Sequence, residues 1–134
     1  MTTTIDLRPN TAHSPERTKE LGNTLGELLS TLAYAVGPNR GGLEYPGDVY
    51  DLLANLYLAL EKVPGITDRA AGWLRAEDSR GRLVRDDGAD ALGDVDHAVD
   101  CLDDAKRAAR SLSEALRLAQ NALSHVATRT GEEG

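Results

Sequence analysis

The sequence predicts an all-α chain, and three observations carry that prediction. Apolar residues recur at three- and four-residue spacings along four separate stretches. No segment shows the two-residue alternation of a strand. Strong punctuation separates the stretches: Gly37-Pro38-Asn39-Arg40-Gly41-Gly42, Pro64-Gly65 and Asp86-Asp87-Gly88. The expected architecture is a four-helix, bundle-like assembly with a long C-terminal helix. Its helices fall near 15–36, 46–63, 67–84 and 88–128. Residues 1–13 read as a flexible N-terminal arm and 14–130 as a single helical domain.

The first helix is announced by Ser14 as N-cap, Pro15 at the first helical position and Glu16 behind it. Leu21, Leu25, Leu28, Leu32 and Ala35 follow at spacings of four, three, four and three, the pattern of a helix packed along one seam. The second opens at Tyr45-Pro46, with Asp48 and Asp51 favourable to the helix dipole. Val49, Leu52, Leu53, Leu56, Leu60 and Val63 form its apolar face, and Pro64-Gly65 is expected to close it. The third begins near Thr67 or Asp68 and carries Ala70, Trp73 and Leu74, with Gly72 and Ser79-Arg80-Gly81 weakening its interior. Asp87 is then a candidate cap for the fourth.

The fourth helix is the most informative element. An apolar stripe runs through Leu92, Val95, Val99, Leu102, Ala105, Ala109, Leu112, Leu116, Ala119, Leu123 and Val126. Eight aspartates lie between Asp86 and Asp104 without a Lys or Arg, and Lys106, Arg107, Arg110, Arg117 and Arg129 follow against a single Glu114. A helix of about 40 residues is about 60 Å long, more than a domain of this size spans. A break near 104–111, where Ser111-Leu112-Ser113-Glu114 has capping-box form, competes with a continuous helix, which the absence of Gly and Pro favours.

The chain has 134 residues and a formal net charge of −7, which argues against binding nucleic acid. Phe is absent and Trp73 is the only tryptophan, so the core is expected to be Leu, Ala and Val. Residues 1–10 hold no apolar run, so no secretory signal is expected, and no stretch approaches a membrane span. The single cysteine, Cys101, fits a reducing cytoplasm.

Candidate chemistry is sparse. His97 and Cys101 stand four apart on one helical face, a spacing that can share zinc, but no second Cys/His pair completes a site. Asp48-x-x-Asp51 and Asp100-x-x-Asp103 are fragments of the carboxylate pattern that holds magnesium in all-α nucleotide pyrophosphohydrolases. The Gly37–Gly42 loop lacks the Lys-Ser/Thr of a phosphate-binding loop. No catalytic, metal or cofactor residue is therefore assigned. Tyr34, Tyr45, Tyr50 and Tyr57 read as core or rim residues, or as a protein-binding patch if exposed together.

The stretch Gly42-Leu43-Glu44-Tyr45-Pro46-Gly47-Asp48-Val49-Tyr50-Asp51-Leu52-Leu53, with the Ala/Asp/Leu-rich final helix, resembles small uncharacterised all-α proteins of actinobacteria, some carried on mobile elements. The resemblance implies a bacterial cytoplasmic setting and transfers no functional residue.

The expected function is that of a non-enzymatic interaction protein, a homodimer or the binder of a basic protein partner, working through the long helix. Leu112, Leu116, Ala119, Leu123 and Val126 are the expected interface stripe, with Asp96, Asp100 and Asp103 as electrostatic selectors. The alternatives are a magnesium-dependent pyrophosphohydrolase-like enzyme and an acidic decoy of a nucleic-acid-binding protein. Neither nucleic acid nor membrane is an expected partner.

Overall fold

The computed structural model describes residues 5–129 as an all-α chain of four helices: α1 (Pro15–Ala35), α2 (Pro46–Leu60), α3 (Val63–Ser79) and α4 (Leu92–Ala122). Residues 1–4 of the expected arm and residue 130 of the expected domain lie outside the described residues. Two compact units divide the chain, one up to Glu44 and one from Tyr45, where the sequence suggests a single domain.

In the first unit, residues 6–13 are tied to the start of α1. The Arg8 guanidinium grips the Asp6 carboxylate at 2.8 Å and holds its pKa down at about 2. Arg17 donates to the His13 ring at 3.1 Å and to the Arg8 carbonyl at 3.3 Å. Ser14 caps α1 as expected, its hydroxyl accepting the Arg17 amide at 3.1 Å. At the other end the Gly42 amide returns to the Ala35 carbonyl at 3.1 Å. A Cβ at Gly42 would lie 2.1 Å from that oxygen, so only glycine fits the closing turn. No residue of α1 is buried.

In the second unit, α4 packs on α3 along its first half and on α2 along its second, while α2 and α3 barely touch each other. The cross-links run in opposite directions along the two sides. Arg75 pairs with Asp96, Asp68 with Lys106 at 2.9 Å, and the Tyr57 carbonyl accepts the Ser113 hydroxyl at 3.0 Å. The unit is thus an antiparallel hairpin with α2 and α3 end to end on one side and α4 on the other. Helices of 15 and 17 residues measure about 23 and 26 Å, together about the length of the continuous 31-residue α4. This solves the length problem that the sequence poses. Two short helices in line cover one long one.

The boundaries move for local reasons. Pro64 does not close α2; it stands in the first turn of α3, where a missing N–H costs nothing, and it is buried there. Thr67 donates to its carbonyl at 3.0 Å. The third helix stops at Ser79, not near 84, because Gly81 adopts φ 69 and the Arg82 amide folds back to the Glu77 carbonyl at 3.0 Å. Residues 84–90 then form a tight turn, with an isolated antiparallel bridge between Val84 and Asp90. Gly88 at φ 85 makes that turn possible. Asp87 caps this turn through the Ala89 amide, and Asp90 takes the Leu92 amide at the start of α4, both at 3.0 Å. Beyond Ala122 the amides of Leu123, Ser124 and Val126 reach back only three residues, so the helix unwinds into a turn well before 128.

The hairpin seam on α4 is Val95, Val99, Leu102, Lys106, Ala109, Ser113, Leu116, Gln120 and Leu123, alternating steps of four and three. Val95, Ala109, Ser113 and Gln120 are its buried members, joined in the interior by Ala91 and, from α3, Thr67. Val95→Ala is expected to lower the unfolding free energy by about 1.5–2 kcal/mol through lost burial and the cavity left behind. Ser113→Ala should cost about 1 kcal/mol, because it removes the cross-helix donor to the Tyr57 carbonyl, which keeps only the Glu61 amide. Arg75→Ala, at a half-exposed pair, should cost less than about 1 kcal/mol. Urea denaturation of the three variants checks the order.

Candidate functional site

The cross-helix ion pairs mark one side of the hairpin. Arg75 and Asp96, Asp68 and Lys106, and Lys106 and Asp103 all meet there. The charged row continues along α4, where Arg107 pairs with Asp103 and Arg117 donates from Nε to Glu114 at 3.0 Å. Arg117 holds the Glu114 carboxyl below its ordinary range. Between these side chains runs a shallow groove lined by Glu61, Pro64, Arg110, Ser113, Glu114 and Arg117.

Each helical residue turns the side chain by about 100°, so a neighbour two positions away from a charge on this side stands about 200° round, on the other side. On α3 the residues two before Arg75 and Asp68 are Trp73 and Ile66. On α4 the residues two away from Asp96, Asp103 and Arg110 are Asp94, Ala98, Cys101, Ala105, Ala108 and Leu112, and on α3 Glu77 stands two after Arg75. Ala70 and Ala108 fill the intervening turns by the same spacing. The register of the hairpin sets Trp73 near 98–101 and Ile66 near 105–108. The result is a face whose middle, from Ile66 and Trp73 across to the stretch 98–112, carries uncharged side chains, bounded at the turn end by Glu77, which Arg80 and Arg82 pair, and by Asp94, which Arg85 pairs.

Its large members are open to solvent. Trp73 is 60% exposed, Ile66 64% and Leu112 50%. For a lone aliphatic residue such exposure is ordinary, but a tryptophan and an isoleucine two turns apart, beside a row of alanines, form a contiguous patch. Further along α4, Ala115, Ala119 and Ala122 continue the small-residue row. Cys101 lies on this face as a free, exposed thiol, 3.8 Å from the His97 ring.

The residues expected to form an interface divide between two places. Leu116 and Leu123 are half-buried in the hairpin seam against α2. Leu112 and Ala119 are exposed on the open side, and Val126 is exposed in the turn after α4, beside Tyr45 and Pro46. Asp96 and Asp103 are engaged by Arg75, Lys106 and Arg107 within the hairpin, and Asp100 lies exposed beside a groove with Asp68 and Asp103. Of the arginines after α3, only Arg85 reaches the aspartate run, meeting Asp87 at 3.5 Å and Asp94 at 3.3 Å. Arg80 and Arg82 turn back to Glu77 instead.

Trp73 and Ile66 are functional candidates that periodicity does not single out. A signal was present: they stand seven apart, on a helix whose seam is already filled by Thr67, Ala71 and Leu74. The two carboxylate fragments do not converge. The hairpin register puts Asp48 and Asp51 at the far end of α4 from Asp100 and Asp103. Among the described residues no group of three or more His, Cys, Asp or Glu side chains is placed to hold a metal ion. No described helix is long and apolar enough to cross a membrane. Compared with known proteins, the chain matches no family model, no curated protein and no solved structure.

Because Cys101 is exposed in a single chain, a thiol reagent should modify it stoichiometrically in dilute protein without denaturant. A thiol that reacts only after unfolding would place Cys101 in the interior.

Proposed function

We propose that this chain is a non-enzymatic helical interaction protein that self-associates through the open apolar patch of its C-terminal hairpin. The observation that carries the reading is the open apolar patch of Trp73, Ile66 and Leu112 on the side of the hairpin away from its cross-helix ion pairs. The charged side satisfies itself with ion pairs inside the chain. The open patch leaves Trp73, Ile66 and Leu112 in water, and burying a large apolar side chain is worth about 1.5–3 kcal/mol. Tryptophan is also the residue type most enriched among energetically dominant interface positions.

A second copy is the partner this chemistry suits. An acidic or basic ligand needs opposite charge on its receptor, and the carboxylates on the open side, Glu77 and Asp94, already pair within the chain with Arg80, Arg82 and Arg85. The bundle-like arrangement of four helices then belongs to the assembly, because a unit two helices thick buries only one seam. The long helix retains the role expected for it, with Leu112 and Ala119 on the interface side. A cytoplasmic setting accords with the single free thiol. The magnesium hydrolase reading loses its main support, since its carboxylate fragments stand at different ends of the hairpin.

Sedimentation equilibrium on the full chain tests the proposal. A dimer is expected at micromolar concentration, and Leu112→Asp should weaken it at least tenfold while leaving the cooperative unfolding of the hairpin in place. A protein that stays monomeric to several hundred micromolar would contradict self-association.

A further inference from the structure

Resting on that reading, we propose that His97 and Cys101 are half of a zinc site, which the same pair on a second copy completes.

The pair is spaced for a shared ion. His97 and Cys101 stand four apart on the continuous helix α4, both exposed, so their side chains leave it one turn apart on one side. The Cys101 Sγ lies 3.8 Å from the His97 Nε2. A tetrahedral zinc ion, with sulfur at about 2.3 Å and nitrogen at about 2.0–2.1 Å, holds those two atoms about 3.6 Å apart. Thiolate and imidazole are also the donors that zinc prefers over oxygen ligands.

One chain cannot finish the site. Structural zinc takes four ligands, and Cys101 is the only cysteine. Both ring nitrogens of His13 are engaged within the first unit, by the Pro9 carbonyl and the Arg17 guanidinium. His125 lies beyond the far end of α4, and the helix rises about 32 Å between Cys101 and Ala122. Of the neighbouring carboxylates, Asp94 is paired with Arg85 and Asp104 with Arg107. Among the described residues no third His, Cys, Asp or Glu joins the pair.

A second copy supplies what is missing. Two His–Cys pairs make the Cys2His2 set of a closed structural zinc site. In a two-fold contact the same patch faces itself, so a residue near the axis meets its own counterpart. Energetically dominant residues cluster at the centre of an interface, and Trp73 is the tryptophan of the open patch. The hairpin register sets Trp73 beside 98–101, so an axis that centres Trp73 also brings the Cys101 thiols of the two copies together.

Charge gives the ion a regulatory role. The same contact brings together two copies of the aspartate-rich half of α4, and each chain carries a net charge of −7. A dication at the axis offsets that repulsion. An ion held by the paired form alone also pulls the equilibrium toward pairing by mass action. Zinc thus tightens a contact that the apolar patch begins.

Sedimentation equilibrium of the full chain, kept reduced with a non-thiol reductant, compares zinc chloride with EDTA. Half an equivalent of zinc per chain should lower the dimerisation midpoint at least tenfold. Cys101→Ser and His97→Gln, both at exposed positions, should each abolish the difference between zinc and EDTA. Circular dichroism in EDTA checks that each variant keeps its helices. Cobalt(II) in place of zinc should saturate at one ion per two chains, with the visible absorption of a tetrahedral site and the near-ultraviolet absorption of a thiolate–cobalt bond. A wild-type dimer equally tight in zinc and EDTA overturns the zinc site and leaves self-association standing. One cobalt ion bound per monomer does the same, as does a zinc effect that survives Cys101→Ser. A chain that stays monomeric to several hundred micromolar in both solutions contradicts self-association itself, and the shared site with it.

Discussion

The antiparallel register between α4 and the in-line pair α2–α3 is the constraint on which the rest depends. It is set by three contacts spread over the length of the hairpin: the ion pairs at Arg75–Asp96 and Asp68–Lys106, and the hydrogen bond from Ser113 to the Tyr57 carbonyl. None of the exposed pairs is strong alone, since surface salt bridges are typically worth less than about 1 kcal/mol. Their value is in direction. They hold one side of each helix against the same side of its neighbour, and so decide which residues face outward on the other.

A pair of helices has one seam, and one seam buries few residues. Among the described residues Pro64, Ala91, Val95 and Ala109 are the buried apolar ones, with Thr67, Ser113 and Gln120 as polar members. Small and polar residues are the fully buried members of the seam, Leu102, Leu116 and Leu123 are half-buried in it, and Trp73 and Ile66 lie outside it. They stand on the outside, in a row, and on one side. The same geometry that leaves the seam thin therefore creates the surface from which the proposed interaction is argued. On α1 the pattern repeats in simpler form, with a leucine row and no buried residue at all.

Much of the fold was legible in the residues. Ser14-Pro15-Glu16 and Gly37 to Gly42 mark α1 to within a residue or two, and Tyr45-Pro46 marks the start of α2. Pro64-Gly65 misled because proline punctuates in two ways: it ends one helix or begins the next, and only the two-residue gap between α2 and α3 decides for the second. Asp87 and Asp90 are both competent caps, and the φ of Gly88 gives the turn to the first and the helix start to the second. The interface was half legible. Hydropathy alone draws a single stripe through Ala105, Ala109, Leu112, Leu116 and Ala119. The helix in fact carries two rows that meet at Ala109, because Lys106, Ser113 and Gln120 take the seam positions that hydropathy denies them. Leu116 and Leu123 fell to the inner row, and Leu112 and Ala119 to the outer. Trp73 and Ile66 were obscured because a row on the outside of α3 has meaning only once the inside is known.

The central claim is that a second copy covers the hairpin's open apolar patch, on the side away from its cross-helix ion pairs. Hydroxyl-radical footprinting of the full chain at two concentrations, one below and one above the dimerisation midpoint, tests it most directly. The account predicts that oxidation of Trp73, Ile66, Cys101 and Leu112 falls severalfold at the higher concentration, while side chains around Arg75, Asp103 and Arg117 keep their reactivity. Equal reactivity of Trp73 and Leu112 at both concentrations, or protection confined to the charged side, would contradict it.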